Sequence, residues 1–187
     1  LLAESREGIE RVTRIVRDLK DFSYSGRGES WRRVDLHAGL ESTINIIWNE
    51  LKYKCEVKRD FGPLPPVSCH PTQISQVFTN LLVNAAQALP PGGGEIRLVT
   101  RLLGDSVAVV EVRDTGCGIA VEHLERIFEP FFTTKEVGEG TGLGLSLCHD
   151  IIRGLGGVMT VDSLVGEGST FRVFLPVADT GQEEARG

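Results

Sequence analysis

Asn80 and Asn84 stand four residues apart in a stretch that is otherwise strongly apolar, so on a helix both amides project from one face. Amides buried there must be satisfied. Either they make structural hydrogen bonds, or their oxygens act as hard ligands for Mg²⁺, which prefers oxygen and shares phosphate oxygens while keeping several waters. Asp114 is followed by Thr115, Gly116, Cys117 and Gly118. A carboxylate at that place can accept a hydrogen bond from an exocyclic amine such as that of adenine, and the glycines let a flat ring approach the backbone. The alternative is a simple Asx turn leaving a strand. No third glycine follows at the spacing of a dinucleotide fingerprint.

Gly138, Gly140, Gly142 and Gly144 alternate with Glu139, Thr141 and Leu143. Such a run is too costly in backbone entropy for a helix or strand interior, and is expected to be mobile without ligand. It is read either as a plain flexible loop or, because a helix follows, as a phosphate-binding segment whose free N–H groups and helix dipole meet an anion. Lys135, just upstream, is a solvated lysine or a positive charge for a terminal phosphate. Phe128, Phe131 and Phe132 flank Pro130 as core residues or as a hydrophobic latch for the loop.

The elements that must carry these residues follow from periodicity. Residues 1–24 read as a charged amphipathic helix with Leu2, Ile9, Val12, Val16 and Leu19 at heptad spacing, and 25–30 as a Ser/Gly/Arg linker. Val34 lies in a short strand, and Asp35 caps a helix to about Leu51. Cys55 to Phe61 alternates as a strand, and Pro71 opens a helix to Leu89 bearing both asparagines. Glu95–Leu103 and Val107–Asp114 form an antiparallel pair around Gly104 and Asp105. A short helix over Val121–Ile127, a helix from about Gly142 to Leu155, and strands Val158–Ser163 and Ser169–Val177 complete the pattern, with 178–187 as a tail. The expected class is α+β: a two-layer sandwich of a mixed, mainly antiparallel sheet with helices on one face, over 31–177, preceded by one long helix.

Bulk properties narrow the function classes. The 187 residues suffice for one well-buried domain and an appendage. A net charge of −6 argues against nucleic acid as a partner, and no apolar run approaches the roughly 18 to 20 residues of a membrane span. Cys55, Cys69, Cys117 and Cys148 are scattered without a C-x-x-C pair, as expected of reduced cytosolic thiols.

In order and spacing the four segments at 80–84, 114–118, 128–132 and 138–144 resemble the N, G1, F and G2 boxes of the catalytic domain of sensor histidine kinases. That domain has the Bergerat-type ATP-binding fold of the gyrase/Hsp90/histidine kinase/MutL superfamily. The resemblance runs from about Trp31 to Val177, and Gly168-Ser-Thr-Phe-Arg-Val-Phe-Leu-Pro176 is similar to the family's closing strand. It implies ATP and Mg²⁺ as cofactors. By it Asn84 binds the metal, Asp114 the adenine amine, and Gly116 and Gly118 line the base pocket. Gly140, Thr141, Gly142, Leu143 and Gly144 cover the phosphates, Thr170 holds a water near adenine, and Asn80 and Lys135 are catalytic.

The resemblance also implies partners: the hairpin carrying the phosphoacceptor histidine, a response-regulator receiver domain, and a second copy of the chain through the first helix. It implies a cytoplasmic location, either free or as the inner part of a membrane-bound sensor. Two departures stand out. A basic residue often found three positions after the second asparagine is Gln87 here, which turns attention to Lys135. The acceptor box is missing: His37, His70 and His123 lack an acidic neighbour, and His149-Asp150 has Arg153 where that motif needs Asn, Thr or Pro. The kinase reading is therefore of a domain whose acceptor histidine lies outside this sequence and which does not phosphorylate itself. The alternatives are an ATP-hydrolysing relative of the chaperone or gyrase type, whose base would be Glu at the place of Asn80, and a nucleotide-free dimerisation module.

Overall fold

The computed structural model describes residues 30–135 and 140–177. The amphipathic first helix, nearly all of the linker, Gly138 and the tail fall outside the described residues. The element order is β1 (Arg32–Val34), α1 (Leu36–Leu51), β2 (Cys55–Phe61), β3 (Val67–Cys69), α2 (Pro71–Ala88), β4 (Gly94–Leu103), β5 (Val107–Asp114), α3 (Val121–Leu124), α4 (Gly144–Gly154), β6 (Val158–Leu164) and β7 (Gly168–Pro176). Asp35 starts α1 by accepting from the backbone N–H groups of His37 and Ala38 at 2.9 and 3.3 Å, a cap that contributes about 1 kcal/mol. Pro71 opens α2, where its missing N–H costs nothing.

A five-stranded sheet has the order β2-β4-β5-β7-β6, so β2 and β6 form its margins. All neighbours are antiparallel except β2 and β4, which are parallel because the chain crosses over through α2 between them. β1 and β3 make a separate antiparallel pair. The class is α+β with a mixed sheet. Period-two alternation sends Ile96 and Leu98 of β4, Val110 and Val112 of β5 and Phe171 and Val173 of β7 into one core with the apolar stripes of α1, α2 and α4. On the other face Glu111 has no exposed side-chain area, covered by Arg101, Arg113 and Arg172 at 2.6, 2.5 and 3.7 Å.

Beyond one-residue differences at the ends of several elements, three expectations shift. β3 goes unforeseen, α3 stops at Leu124 rather than Ile127, and α4 begins at Gly144 rather than Gly142. The last has a plain cause. Gly142 has φ +68°, the left-handed region, which interrupts a right-handed helix.

Candidate functional site

Asp114 ends β5 with its side chain turned inward and only 7% exposed. Its Oδ1 accepts from the Gly116 N–H at 2.8 Å, and a second backbone hydrogen bond comes from Ser169. Burial pushes its carboxyl pKa above the ordinary range, and these two N–H groups oppose that shift. The Asx turn and a ligand role are compatible, since a carboxylate has two oxygens and about four lone-pair sites.

The loop after Asp114 is seated on the helix that carries the asparagines. The Cys117 N–H donates to the Ala88 carbonyl at 2.9 Å. A Cβ on Gly116 would lie 2.7 Å from Ala88 Cβ, the Ala88 carbonyl oxygen and Asp114 Oδ1, so only glycine fits. The β6–β7 hairpin grips the loop's other side: the Gly166 N–H donates to the Cys117 carbonyl at 2.8 Å, and the Ile119 N–H to Ser163 Oγ at 2.8 Å. Ser163 also donates to the Gly168 carbonyl and meets Ser169 Oγ, each at 2.9 Å.

That register corrects one residue. Ser169 is the cross-strand partner of Asp114, whereas Thr170 lies between Arg113 and Asp162. Successive side chains of a strand point to opposite faces, so Thr170 faces away from Asp114 and Ser169 toward it. Ser169, buried, and Ser163 are the polar residues that reading the sequence missed. The parity of Ser169 with Phe171, Val173 and Leu175 was the available signal.

Asn80 and Asn84 lie on α2 as spaced, and their roles divide. Asn80 Nδ2 donates to the Gly144 carbonyl at 3.3 Å, joining α2 to the start of α4. Burial pushes the nearby Cys148 thiol up to about 12, and the Asn80 amide opposes that shift. Asn84 is half-buried and, among the described residues, its amide makes no hydrogen bond. Lys135 Nζ donates to Gln87 Oε1, one turn beyond Asn84.

The glycine segment meets the phenylalanine segment at its end. The Phe131 N–H donates to the Gly142 carbonyl at 2.9 Å, and Phe131 itself has φ +68° with its ring 67% exposed. Phe128 and Phe132 instead pack against the core, Phe132 between His123 and Arg126. Gly140 and Thr141 are half-buried, and Leu143 is a core side chain that can offer a ligand only its backbone. The His149 ring lies against Phe128 in a tilted arrangement, with centroids 5.2 Å apart.

The donors suit an oxygen-loving cation delivered with phosphates. Among the described residues no three His, Cys, Asp or Glu side chains cluster to hold a metal alone, and the half-buried amide of Asn84 offers an oxygen of the kind Mg²⁺ takes together with phosphate oxygens. Mg²⁺ with a phosphate chain fits that set.

A mixed sheet with helices on one face, a buried carboxylate at a strand end and a glycine segment leading into a helix define a domain of the ATPase class. The chain belongs to the histidine kinase-, DNA gyrase B- and HSP90-like ATPase family, whose sequence model matches residues 69–179. It is 41% identical to the sensor kinase CckA of Brucella abortus over 91% of this chain and 20% of that protein. The chain spans 20%, 28% and 26% of the length of three curated relatives it matches. Its fold superposes on the catalytic domain of histidine kinase ThkA with TM-score 0.70 and 28% identity, covering 79% of this chain and 97% of that one. Full-length ShkA in complex with AMPPNP gives TM-score 0.80 and 25% identity, covering 94% of this chain and 38% of that one.

Proposed function

We propose that this domain binds ATP with Mg²⁺ and passes the terminal phosphoryl group to a histidine on a helical hairpin outside this sequence, for relay to a receiver-domain aspartate. Asp114 takes the adenine amine against Gly116 and Gly118, with Ser169 behind it. Asn84 is the metal ligand, and the backbone from Gly140 through Thr141, Gly142 and Leu143 to Gly144 covers the phosphates. Lys135 supplies the charge at the terminal phosphate, and Mg²⁺ supplies further charge neutralisation when bound. Residues 31–177 are the catalytic unit. Because ATP is its substrate, we assign it to the cytoplasmic side; among the described residues no helix is long and apolar enough to cross a membrane.

Asn80 carries the choice of kinase over hydrolase. Its amide is hydrogen-bonded to Gly144 where an activating base would be needed, and an amide cannot accept water's proton. What this chain's own groups supply is positioning and charge stabilisation. The test mixes the chain with labelled ATP, Mg²⁺ and a separate hairpin bearing an acceptor histidine. Acid-labile, base-stable label on the hairpin, and none on this chain, is the expected result. Brisk phosphate release without transfer would overturn the reading in favour of a hydrolase.

A further inference from the structure

Ser163 of β6 places one hydroxyl where three neighbours meet. Its oxygen accepts from the Ile119 N–H at 2.8 Å, its hydrogen reaches the Gly168 carbonyl at 2.9 Å, and Ser169 Oγ stands at that same 2.9 Å. Ser163 is the cross-strand partner of Ser169 on β7, and Ser169 is in turn the partner of Asp114 on β5. All three side chains therefore lie in one row on one face of the sheet. The backbone around them has no slack. A Cβ on Gly168 would collide with the Asp114 carbonyl, and one on Gly118 with the carbonyl of Leu164.

A serine hydroxyl has one hydrogen and two lone pairs. A carbonyl can only accept, so the Gly168 contact takes the Ser163 hydrogen and the Ile119 N–H takes one of its lone pairs. The contact with Ser169 is then a hydrogen bond only if Ser169 is the donor. That sets the order of the protons. Ser169 spends its single hydrogen on Ser163 and has only lone pairs left to offer beside Asp114. We infer that Ser163 is a specificity-determining residue for the base, acting through Ser169: by drawing off that hydrogen it leaves the two side chains at the amine end, Asp114 and Ser169, presenting acceptors alone. This rests on the ATP reading above. With the Asp114 carboxylate ionised, such an end suits the exocyclic amine of adenine. It rejects a base with a carbonyl at the same place, whose oxygen would face two acceptors with no hydrogen between them.

Calorimetric affinities of the full chain for ATP and for ITP, which carries a carbonyl where ATP has the amine, test this. The proteins compared are the parent, Ser163→Ala, Ser169→Ala, the double variant and Ser163→Thr, with matching thermal melts to establish that each folds. In Ser163→Ala the Ser169 hydroxyl is released to turn and donate, so the preference for ATP over ITP is expected to fall roughly three- to tenfold, the range of one net hydrogen bond. Ser163→Thr, which keeps the hydroxyl, retains the parent's preference. In the Ser169→Ala background the Ser163 substitution leaves the preference where it was, because no hydrogen remains to be directed. Should Ser163→Ala fail to fold, Ser163→Cys, similar in shape but a weak acceptor, takes its place. Equal weakening of ATP and ITP by Ser163→Ala shows a hydroxyl that only holds the loop at Ile119, and overturns the proposal. A lost preference in Ser163→Thr, or a further fall in the Ser169→Ala background, also overturns it. A parent that does not tell ATP from ITP defeats the Asp114 assignment and the proposal with it, and a parent that binds neither defeats the ATP reading itself.

Discussion

The side-chain amide of Asn80 on α2 is bonded to the carbonyl of Gly144, the first residue of α4, across 64 residues of sequence. The helix bearing the candidate metal ligand and the helix following the glycine segment are thus tied by a neutral donor in addition to the packing of their apolar faces. Asn80→Ala removes it. The expected cost is about 1 kcal/mol, a lowering of the melting temperature by roughly 2 to 4 °C, read by calorimetry. Asn80→Glu should cost more, because a carboxylate cannot donate and faces the carbonyl dipole. An unchanged melting temperature in both variants would show that the bond holds nothing.

Asp114→Asn separates binding from stability. Losing the charged acceptor should weaken ATP by roughly 1 to 3 kcal/mol, while GTP, which lacks the adenine amine, binds poorly to parent and variant alike. Burial raises the folded-state pKa of this carboxyl, so its stabilising contribution is present at acidic pH, below the unfolded value, and is lost as pH rises through the folded one. At neutral pH the variant should thus melt no lower than the parent. ATP affinity of the parent should fall on acidification at a pH above that expected of an ordinary carboxylate. Equal affinity of the parent for ATP and GTP sinks the assignment.

Asn84 is expected to act only through the metal. Asn84→Ala should abolish most of the difference between ATP affinity with Mg²⁺ and with a chelator, leaving the chelator value nearly unchanged. Metal dependence that survives intact places the ligand elsewhere.

The two neighbours on β7 give a sharper contrast. Ser169→Ala should weaken ATP roughly two- to tenfold, through lost hydrogen bonding in the Asp114 network, and Thr170→Ala should change it by less than about twofold. The reverse order would place the strand's other face in the pocket.

Thiol labelling reports on the same loop. Cys117 is exposed between Gly116 and Gly118, whereas Cys148 is fully buried with its pKa pushed up to about 12. A maleimide at neutral pH should label Cys117 quickly and Cys148 only on unfolding, and ATP should slow the Cys117 reaction. Labelling of Cys117 that ATP leaves untouched would separate the loop from the nucleotide.

Strong periodicity made most elements legible: α1 with its Asp35 cap, β2, α2 behind Pro71 and the β4–β5 hairpin fall where the pattern puts them. What was not legible depended on partners distant in sequence. β3 has only three residues, too few for alternation to show, and exists because β1 pairs with it. The parallel match of β2 with β4 is a tertiary outcome of the crossover. At the site, residue types marked the segments, but not which asparagine would be spent on the fold, nor that Ser169 rather than Thr170 shares the face of Asp114. The helical spacing of 80 and 84 is indifferent to the first, and a one-residue shift of strand parity decides the second.

A sheet that does not close on itself leaves unpaired backbone groups along β2 and β6, a template onto which another chain could add a strand. β2 counters this with Glu56, Lys58, Arg59 and Asp60 among its seven residues, and β6 carries Asp162 joined to Arg172. Charged rims of this kind discourage ribbon-like stacking between copies. A second copy laid along either rim would have to strip water from these charges, which makes the sheet a costly surface for self-association.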